Sequence, residues 1–129
     1  MAAIITSPNA PAALGPYSHA VLAGDTLYTS GQIGLIPETG VLAGDTIEAQ
    51  ATQVFYQRIL DKTDASRDQD MTFQNVVKTT VFLTDLNDFA PMNALYAELF
   101  PSNPPARSCV QVAKLPAGAK IEMEVVAIK

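Results

Sequence analysis

Cysteine and histidine are almost absent from this chain of 129 residues, which contains one of each. The single cysteine, Cys109, excludes an internal disulfide framework, and together with a single histidine it excludes a multi-cysteine zinc site and makes any conventional metal centre unexpected. Tryptophan is missing, and eight lysines and arginines are outnumbered by thirteen aspartates and glutamates. The net charge of −5 repels phosphate backbones, so the composition argues against a general nucleic-acid-binding protein.

Long apolar runs and export signals are also missing. No hydrophobic segment approaches the ~18–20 residues that span a bilayer. The first basic side chain is Arg58, so no positively charged leader of a secretion signal or transit peptide is recognised. We therefore expect a cytoplasmic protein without a membrane partner. A composition of 48% hydrophobic and 16% charged residues suits one globular domain over residues 1–129.

Turn signals and hydrophobic periodicity predict an α+β domain with the element order βββ-α-β-α-ββ. The turn signal Gly24-Asp25 separates two short β-compatible runs and predicts a hairpin, and Pro37 to Gly40 forms a turn after the third strand. The predicted strands cover 17–23, 26–29, 32–36, 76–84, 106–113 and 121–128.

Two amphipathic helices are predicted. The first is capped by Asp45, with Glu48 reaching back, and the second begins at Asn87 or Asp88 with Pro91 in its first turn. The polar stretch 63–72 is expected to be a solvated connection. The apolar stripes of the two predicted helices are Ile47, Ala51, Val54, Phe55 and Ile59 in the first, and Met92, Leu95, Tyr96 and Leu99 in the second.

The last two strands assign residues to sheet faces, because side chains alternate along a strand. We expect two apolar sets to face the helices: Ala106, Ser108, Val110 and Val112, and Ile121, Met123, Val125 and Ala127. The opposite face then carries Arg107, Cys109, Gln111, Glu122 and Glu124. Two helices on one face leave that second face uncovered, so we expect another subunit to cover it in a homo-oligomer.

Arg107 and Glu122 are the first candidates for chemistry. A guanidinium within a strand needs a partner, and its planar fork binds a carboxylate bidentately; an ion pair with Glu122 or Glu124, or an interfacial salt bridge, explains it equally well. Glu122 can hold or deprotonate a water, although most strand carboxylates are merely solvated. In a simple hairpin of the last two strands these two residues would lie roughly 13 Å or more apart. A joint site therefore requires a different strand order or a neighbouring subunit.

Each of the other candidate residues has a purely structural interpretation that competes with the functional one. Cys109 is better explained as a small buried filler than as a nucleophile, and His19 as a structural hydrogen-bonding residue. Ser30-Gly31 can present a backbone N–H to an anion, or simply form a bend. The sequence lacks a phosphate loop, a dinucleotide fingerprint and a nucleophile elbow, which removes most kinases, dehydrogenases and serine hydrolases.

Several segments together resemble one family. P-P-A-R-S-C-V-Q-V-A-K-L-P at 104–116, followed by K-I-E-M-E-V at 120–125, resembles the C-terminal signature of the RidA (YjgF/YER057c/UK114) family, the reactive intermediate deaminases. Further matching segments are N-A-P-A-A-L-G-P-Y-S-H-A, Y-T-S-G-Q-I, V-V-K-T-T-V-F-L-T-D-L-N-D-F and M-N-A-L-Y-A-E-L-F. The chain departs from the family pattern after the first helix, where 58–73 is longer and more charged, and at Gln111, often an acidic position.

The resemblance implies a chorismate-mutase-like fold: a six-stranded mixed sheet with two helices on one face, in which the last strand inserts between two earlier ones. It further implies a homotrimer with a central β-barrel and ligand clefts between subunits. The implied activity is hydrolysis of 2-imino and enamino acids, such as 2-aminoacrylate and 2-iminobutanoate, to 2-keto acids and ammonia without a cofactor.

The resemblance also implies a role for each matching residue. Arg107 would clamp the substrate carboxylate and Glu122 would hold the attacking water. The residues that would line the cleft are Tyr17, Ser30, Gly31, Asn93 and Cys109. Two alternatives stay open: a trimer that binds small carboxylates without turnover, and a ribonuclease or translation inhibitor, which the acidic charge and the lone histidine disfavour.

Overall fold

The structure, a computed structural model, describes residues 2–5, 15–56 and 71–129. Over these ranges the chain forms one mixed sheet and two α-helices. The helices are α1 (Ile47–Tyr56) and α2 (Phe89–Leu99). The strands are β1 (Ala3–Ile5), β2 (Ala20–Ala23), β3 (Thr26–Thr29), β4 (Gln32–Ile33), β5 (Val76–Leu83), β6 (Ala106–Gln111) and β7 (Ile121–Ile128).

The strand order is β1-β2-β3-β7-β5-β6, with β4 also paired to β7. Among the described strands, only β5 and β6 run parallel, and every other pair is antiparallel. The last strand, β7, therefore lies between β3 and β5, which confirms the insertion that the resemblance implied, and it does not pair with β6. The prediction of six strands is wrong by one, because β1 adds a seventh strand that pairs with β2.

The third predicted strand is shorter than expected because the chain leaves the sheet at Gly34. A Cβ atom there would lie 2.6 Å from the main-chain oxygen of Gln50, so only glycine lets this segment pass so close to α1. The Gln50 side chain is buried and fastens two segments nearby: its Nε2 donates to the Gly44 oxygen at 2.8 Å, and its Oε1 accepts from the Lys120 N–H at 2.8 Å. This ties α1 to the start of β7.

The helix boundaries differ slightly from the prediction. Thr46, not Asp45, caps α1, because its hydroxyl accepts the Ala49 N–H at 3.1 Å. Helix α2 begins at Phe89, so Pro91 falls in its first turn as predicted. Ile59 and most of the predicted connection lie outside the described residues. Met71, the next-to-last residue of that connection, is buried in the core, so the prediction of a solvated segment is wrong at Met71, whereas Thr72 is exposed as predicted.

Both helices pack on the same face of the sheet, as predicted. The core joins apolar side chains of α1 and α2 to alternate residues of β5 and β7. Its helical members include Ile47, Ala51, Val54, Phe55, Met92 and Tyr96, and its strand members include Val81, Leu83, Ile121, Met123, Val125 and Ala127. Within the described ranges, no helix is long and apolar enough to cross a membrane.

Candidate functional site

The two faces of β7 are those that the sequence predicted. Ile121, Met123, Val125 and Ala127 are buried under the helices, so Glu122 and Glu124 lie on the helix-free face. On that face Glu122 pairs with Phe82 of β5, and Glu124 pairs with Thr80.

The faces of β6 are the reverse of those predicted. Thr79 is fully buried on the helix side, and it pairs with both Arg107 and Val125. Arg107 therefore lies on the helix side, whereas Ser108 and Val110 are exposed on the helix-free side. The prediction failed because β6 is an edge strand, and its cationic residue packs against the aromatic rings of α2.

The Arg107 guanidinium rests on one face of α2, formed by residues at helical spacing. Its Nη1 donates to Asn93 Oδ1 at 2.7 Å. Its Cζ lies 4.7 Å from the centroid of the Tyr96 ring and 5.4 Å from that of Phe89, which are cation–π distances. One guanidinium offers five N–H groups, so donors remain for a bidentate ligand.

The predicted ion pair of Arg107 with Glu122 or Glu124 is wrong within this chain. In the part of the chain that the structure describes, the guanidinium makes no ion pair with a carboxylate. A half-buried cation held by an amide and two rings is suited to an anionic ligand, because a planar fork matches a carboxylate in two parallel hydrogen bonds.

Cys109 follows Arg107 on the same face of β6 and packs against the core. Burial raises the pKa of the Cys109 thiol, and the nearby positive charge of Arg107 only partly opposes this. The thiol is therefore the favoured form over the thiolate at neutral pH. This agrees with its interpretation as a filler and gives no support to a nucleophile.

Four other predicted site residues meet on the helix-free side. Tyr17, Ser30, Gly31 and Glu122 line an open pocket of about 480 Å³. Three further residues line the pocket: Thr29 of β3, Pro116, and Glu124 of β7. The sequence places Glu124 on this face, but it does not point to Thr29 or Pro116, because these meet Glu122 only when distant segments come together in the fold.

Short contacts hold the pocket wall in place. Ser30 donates from Oγ to the Ser18 oxygen at 2.5 Å and from its N–H to the His19 oxygen at 2.9 Å. His19 is buried, in keeping with its predicted structural role. A Cβ atom on Gly31 would lie 2.7 Å from Cδ and 2.9 Å from Cγ of Glu122. The absence of a side chain at Gly31 therefore makes room for the carboxylate.

The environment of Glu122 shifts its protonation. Burial raises the pKa of Glu122, and the negative charge of Glu124 raises it further. A carboxylate with a raised pKa is a stronger base than an ordinary surface glutamate, which suits it to accept a proton from water. No group of three metal-ligating side chains is assembled among the residues that the structure describes.

The predicted site residues thus form two clusters, which we call the Arg107 cluster (Asn93, Arg107, Cys109) and the Glu122 cluster (Tyr17, Ser30, Gly31, Glu122). They lie on opposite faces of one sheet. The inserted last strand, although present, does not bring Arg107 and Glu122 together. A joint site was expected to require either a different strand order or a neighbouring subunit. Since the observed strand order leaves the two residues on opposite faces, a joint site requires a neighbouring subunit.

Comparisons with known proteins cover almost the whole chain. A family model described as Endoribonuclease L-PSP matches residues 7–129. The human protein named 2-iminobutanoate/2-iminopropanoate deaminase is 44% identical over 126 residues, which cover 98% of this chain and 89% of the human one. The Arabidopsis thaliana chloroplastic protein named Reactive Intermediate Deaminase A is 45% identical, and the match spans 96% of this chain but only 64% of the plant protein.

A solved structure shows the same fold. The Yersinia pestis protein YyfA, described as a member of the conserved Rid protein family, superposes with a TM-score of 0.90 at 40% sequence identity. The superposition covers 100% of both chains.

Proposed function

The chain belongs to the RidA family, which the matching family model describes as Endoribonuclease L-PSP, and we propose that it is an imine deaminase. Its substrates would be 2-imino and enamino acids such as 2-iminobutanoate and 2-aminoacrylate, and its products 2-keto acids and ammonia. The curated names of the human and Arabidopsis relatives support this class of reaction. The observation that carries the proposal is the Arg107 guanidinium, which is held on α2 with N–H groups to spare and no carboxylate partner in the described chain.

In this proposal Arg107 binds the substrate carboxylate and fixes the position of the C=N bond. Asn93 orients the guanidinium from the helix side. An imine carbon is already electrophilic, so holding it beside an oriented water supplies much of the acceleration that the reaction requires. No cofactor is needed for this step.

Glu122 would hold the attacking water and accept its proton. The water oxygen bonds to the imine carbon as the C=N π pair moves to nitrogen, which gives a carbinolamine. The proton on Glu122 is returned to that nitrogen to complete an amino group. Glu122 then accepts the hydroxyl proton of the carbinolamine and passes it to the same nitrogen, and the C–N bond breaks so that ammonia leaves as the C=O bond forms. The raised pKa of Glu122 suits both directions of this transfer.

We further propose that the site lies between subunits of a homotrimer whose sheets form a central barrel. One subunit would supply the Arg107 cluster and its neighbour the Glu122 cluster, because a single chain separates the two by the sheet itself. The helix-free face also exposes apolar side chains, including Tyr28, Val110 and Ile128, that a partner would cover. A cytoplasmic location remains a prediction of the sequence.

Two other functions compete with this one. A trimer that binds 2-keto acids without turnover would use the Arg107 cluster in the same way, so only a rate measurement separates it from an enzyme. The description of the family model favours an endoribonuclease. Against that activity stand the net charge of −5 and the single histidine, which is buried.

The test is an imine hydrolysis assay in which 2-iminobutanoate is generated in situ and its decay is followed with wild type and variants. Arg107→Ala should slow hydrolysis by at least about 30-fold, because losing one partner of a hydrogen-bonded charge pair costs about 2 kcal/mol or more. Arg107→Lys should also lose most of the rate, because an ammonium keeps the charge but lacks the planar fork that binds a carboxylate bidentately. Glu122→Gln should lower kcat more than it weakens binding of 2-oxobutanoate. Lys114→Ala, which removes an exposed charge, is the matched control.

Three results would contradict the proposal. A wild-type protein that leaves the imine decay unchanged would be a binding protein only. A near-full rate in Arg107→Ala would remove the carboxylate clamp. RNA cleavage that survives extensive purification and disappears in Arg107→Ala would favour the ribonuclease.

A further inference from the structure

Arg107 belongs to a closed circuit of contacts that joins β5, β6 and α2. Thr79 of β5 pairs with Arg107 across the two parallel strands. The Thr79 hydroxyl is hydrogen-bonded to the Tyr96 hydroxyl at 2.7 Å. The Tyr96 ring in turn lies against the Arg107 guanidinium, with Cζ 4.7 Å from the ring centroid. The strand neighbour of Arg107 therefore also anchors the ring on which its side chain rests.

The circuit is rigid because its inner members are buried. Thr79 is 0% exposed and Tyr96 is 6% exposed, so breaking their hydrogen bond would leave polar groups without a partner in the core. Burial raises the pKa of Tyr96, which keeps its phenol protonated and available for this bond. The ring also packs on Phe55 and Phe100, with centroids 6.2 and 4.9 Å away. Its plane is thus fixed from several sides.

We propose that Tyr96, anchored by Thr79, is a positioning residue that sets the plane of the Arg107 guanidinium for bidentate binding of the substrate carboxylate. This inference rests on the carboxylate role proposed above for Arg107. Bidentate binding requires the plane of the fork to match that of the carboxylate, whereas Asn93 holds only one guanidinium nitrogen. Phe89, on the exposed rim, lies farther from the guanidinium than Tyr96 does. Tyr96 is the buried, anchored contact.

The first measurement is the Kd for 2-oxobutanoate by calorimetry, with KM and kcat for imine hydrolysis beside it. Tyr96→Leu should raise both Kd and KM about tenfold, the scale of a partly desolvated cation–π contact. The kcat should change less than KM, because Tyr96 contacts the guanidinium that binds the carboxylate, whereas the water-holding Glu122 is taken from the neighbouring subunit in the proposed site. Tyr96→Phe keeps the ring and should recover most of the loss, to within about threefold of the wild-type Kd.

The second measurement is spectroscopic. The chain has three arginines, Arg58, Arg67 and Arg107, so an NMR spectrum of arginine Nε–H groups is simple, and the Arg107 signal is the one missing in Arg107→Lys. The ring of Tyr96 should shift that signal by its ring current. The shift should disappear in Tyr96→Leu and persist in Tyr96→Phe. Phe73→Leu is the control, because it removes an aromatic ring that packs on Phe100 and should leave the signal unchanged.

The outcomes separate this inference from the proposed function. If folded Tyr96→Leu has the wild-type Kd and its Arg107 Nε–H signal stays at the wild-type position, the positioning role is wrong, while a loss of 2-oxobutanoate binding in Arg107→Ala would keep the clamp. If Arg107→Ala binds like wild type, both are wrong. If Tyr96→Leu does not fold, Thr79→Val decides: a Kd raised about threefold, as expected for one lost buried hydrogen bond, supports the role, and an unchanged Kd overturns it.

Discussion

Mixing two impaired variants, Arg107→Ala and Glu122→Gln, should restore imine hydrolysis if each site takes Arg107 from one subunit and Glu122 from its neighbour. The two residues lie on opposite sheet faces in one chain, so no single chain can present both to a small substrate. In a mixed oligomer, an Arg107→Ala chain still supplies Glu122, and a Glu122→Gln chain still supplies Arg107. Their shared boundary is then an intact site.

The size of the recovery follows from the geometry of a closed ring. Each site pairs one chain with its neighbour, so random equimolar mixing leaves about a quarter of the sites intact, and activity should return to about a quarter of wild type. A site built within one chain would give no recovery at all. A second mixture, of wild type with a chain carrying both substitutions, should retain about a quarter of the activity if the site is shared and about half if it is not.

The assay requires real exchange of subunits. The two variants are co-expressed with different tags, or unfolded together and refolded, and native mass spectrometry verifies that mixed oligomers have formed. Imine decay is then followed as for the single variants. Verified mixed oligomers whose rate equals that of the separate variants would refute the shared site, and so would a value near one half in the second mixture.

Two further predictions concern the Glu122 cluster. The rate should fall as the pH drops through the raised pKa of Glu122, because protonation removes the base, and this fall is the acid limb of the pH–rate profile. Glu124→Gln should move the acid limb to lower pH. The move should be only partial, since burial contributes more to the raised pKa than Glu124 does. Tyr17 also lines the pocket and carries no carboxylate, so Tyr17→Phe is the control and should leave the acid limb in place. An acid limb that stays at the same pH in Glu124→Gln would contradict the electrostatic account. Gly31→Ala should reduce the rate by up to about a hundredfold, because its Cβ displaces the Glu122 side chain. The melting temperature should change little, since the displaced group is a flexible side chain, and a large loss of stability would show that the backbone is what cannot yield.

The sequence predicted β7 and the helices well because their apolar residues recur with strong contrast. In β7, Ile121, Met123 and Val125 alternate with two glutamates, and no packing arrangement buries the glutamates at equal cost. Helix α2 carries a full apolar stripe and begins near a proline that fits only its first turn. Such patterns decide a face without knowledge of the rest of the fold.

Strand β6 shows where this reasoning stops. Its two sets of alternating residues differ in polarity, since one holds Ala106, Ser108 and Val110 and the other holds Arg107, Cys109 and Gln111, yet it is the more polar set that faces the helices. The deciding contacts come from rings on α2, which no periodicity within β6 reveals. A long cationic side chain with an aliphatic stem packs well on aromatic faces, so its charge alone is a poor guide to the side on which it lies.

Local ambiguity explains the smaller errors. Asp45 and Thr46 are both good capping residues, and the choice between them depends on where the first helical turn closes. Strand β1 has three residues, too few to show a two-residue period, and it is defined only by pairing with β2. The circuit of Thr79 and Tyr96 was invisible for a similar reason, because each residue has an ordinary place in a predicted strand or helix and the link exists only between them.

The separation of Arg107 from Glu122 has a physical advantage for the proposed reaction. Within one chain, a guanidinium and a carboxylate on the same face of adjoining strands would pair with each other, and the substrate would then have to compete with an internal ion pair of good geometry. The sheet prevents this, so the described chain leaves Arg107 to an amide and two rings, and leaves Glu122 in a pocket where its pKa is raised. If assembly brings a neighbour's Glu122 across the cleft from Arg107, the substrate carboxylate and the water can occupy the space between them. A fold that places its two reactive groups on opposite sheet faces prevents them from pairing with each other, so both can act on the substrate once the subunits have assembled.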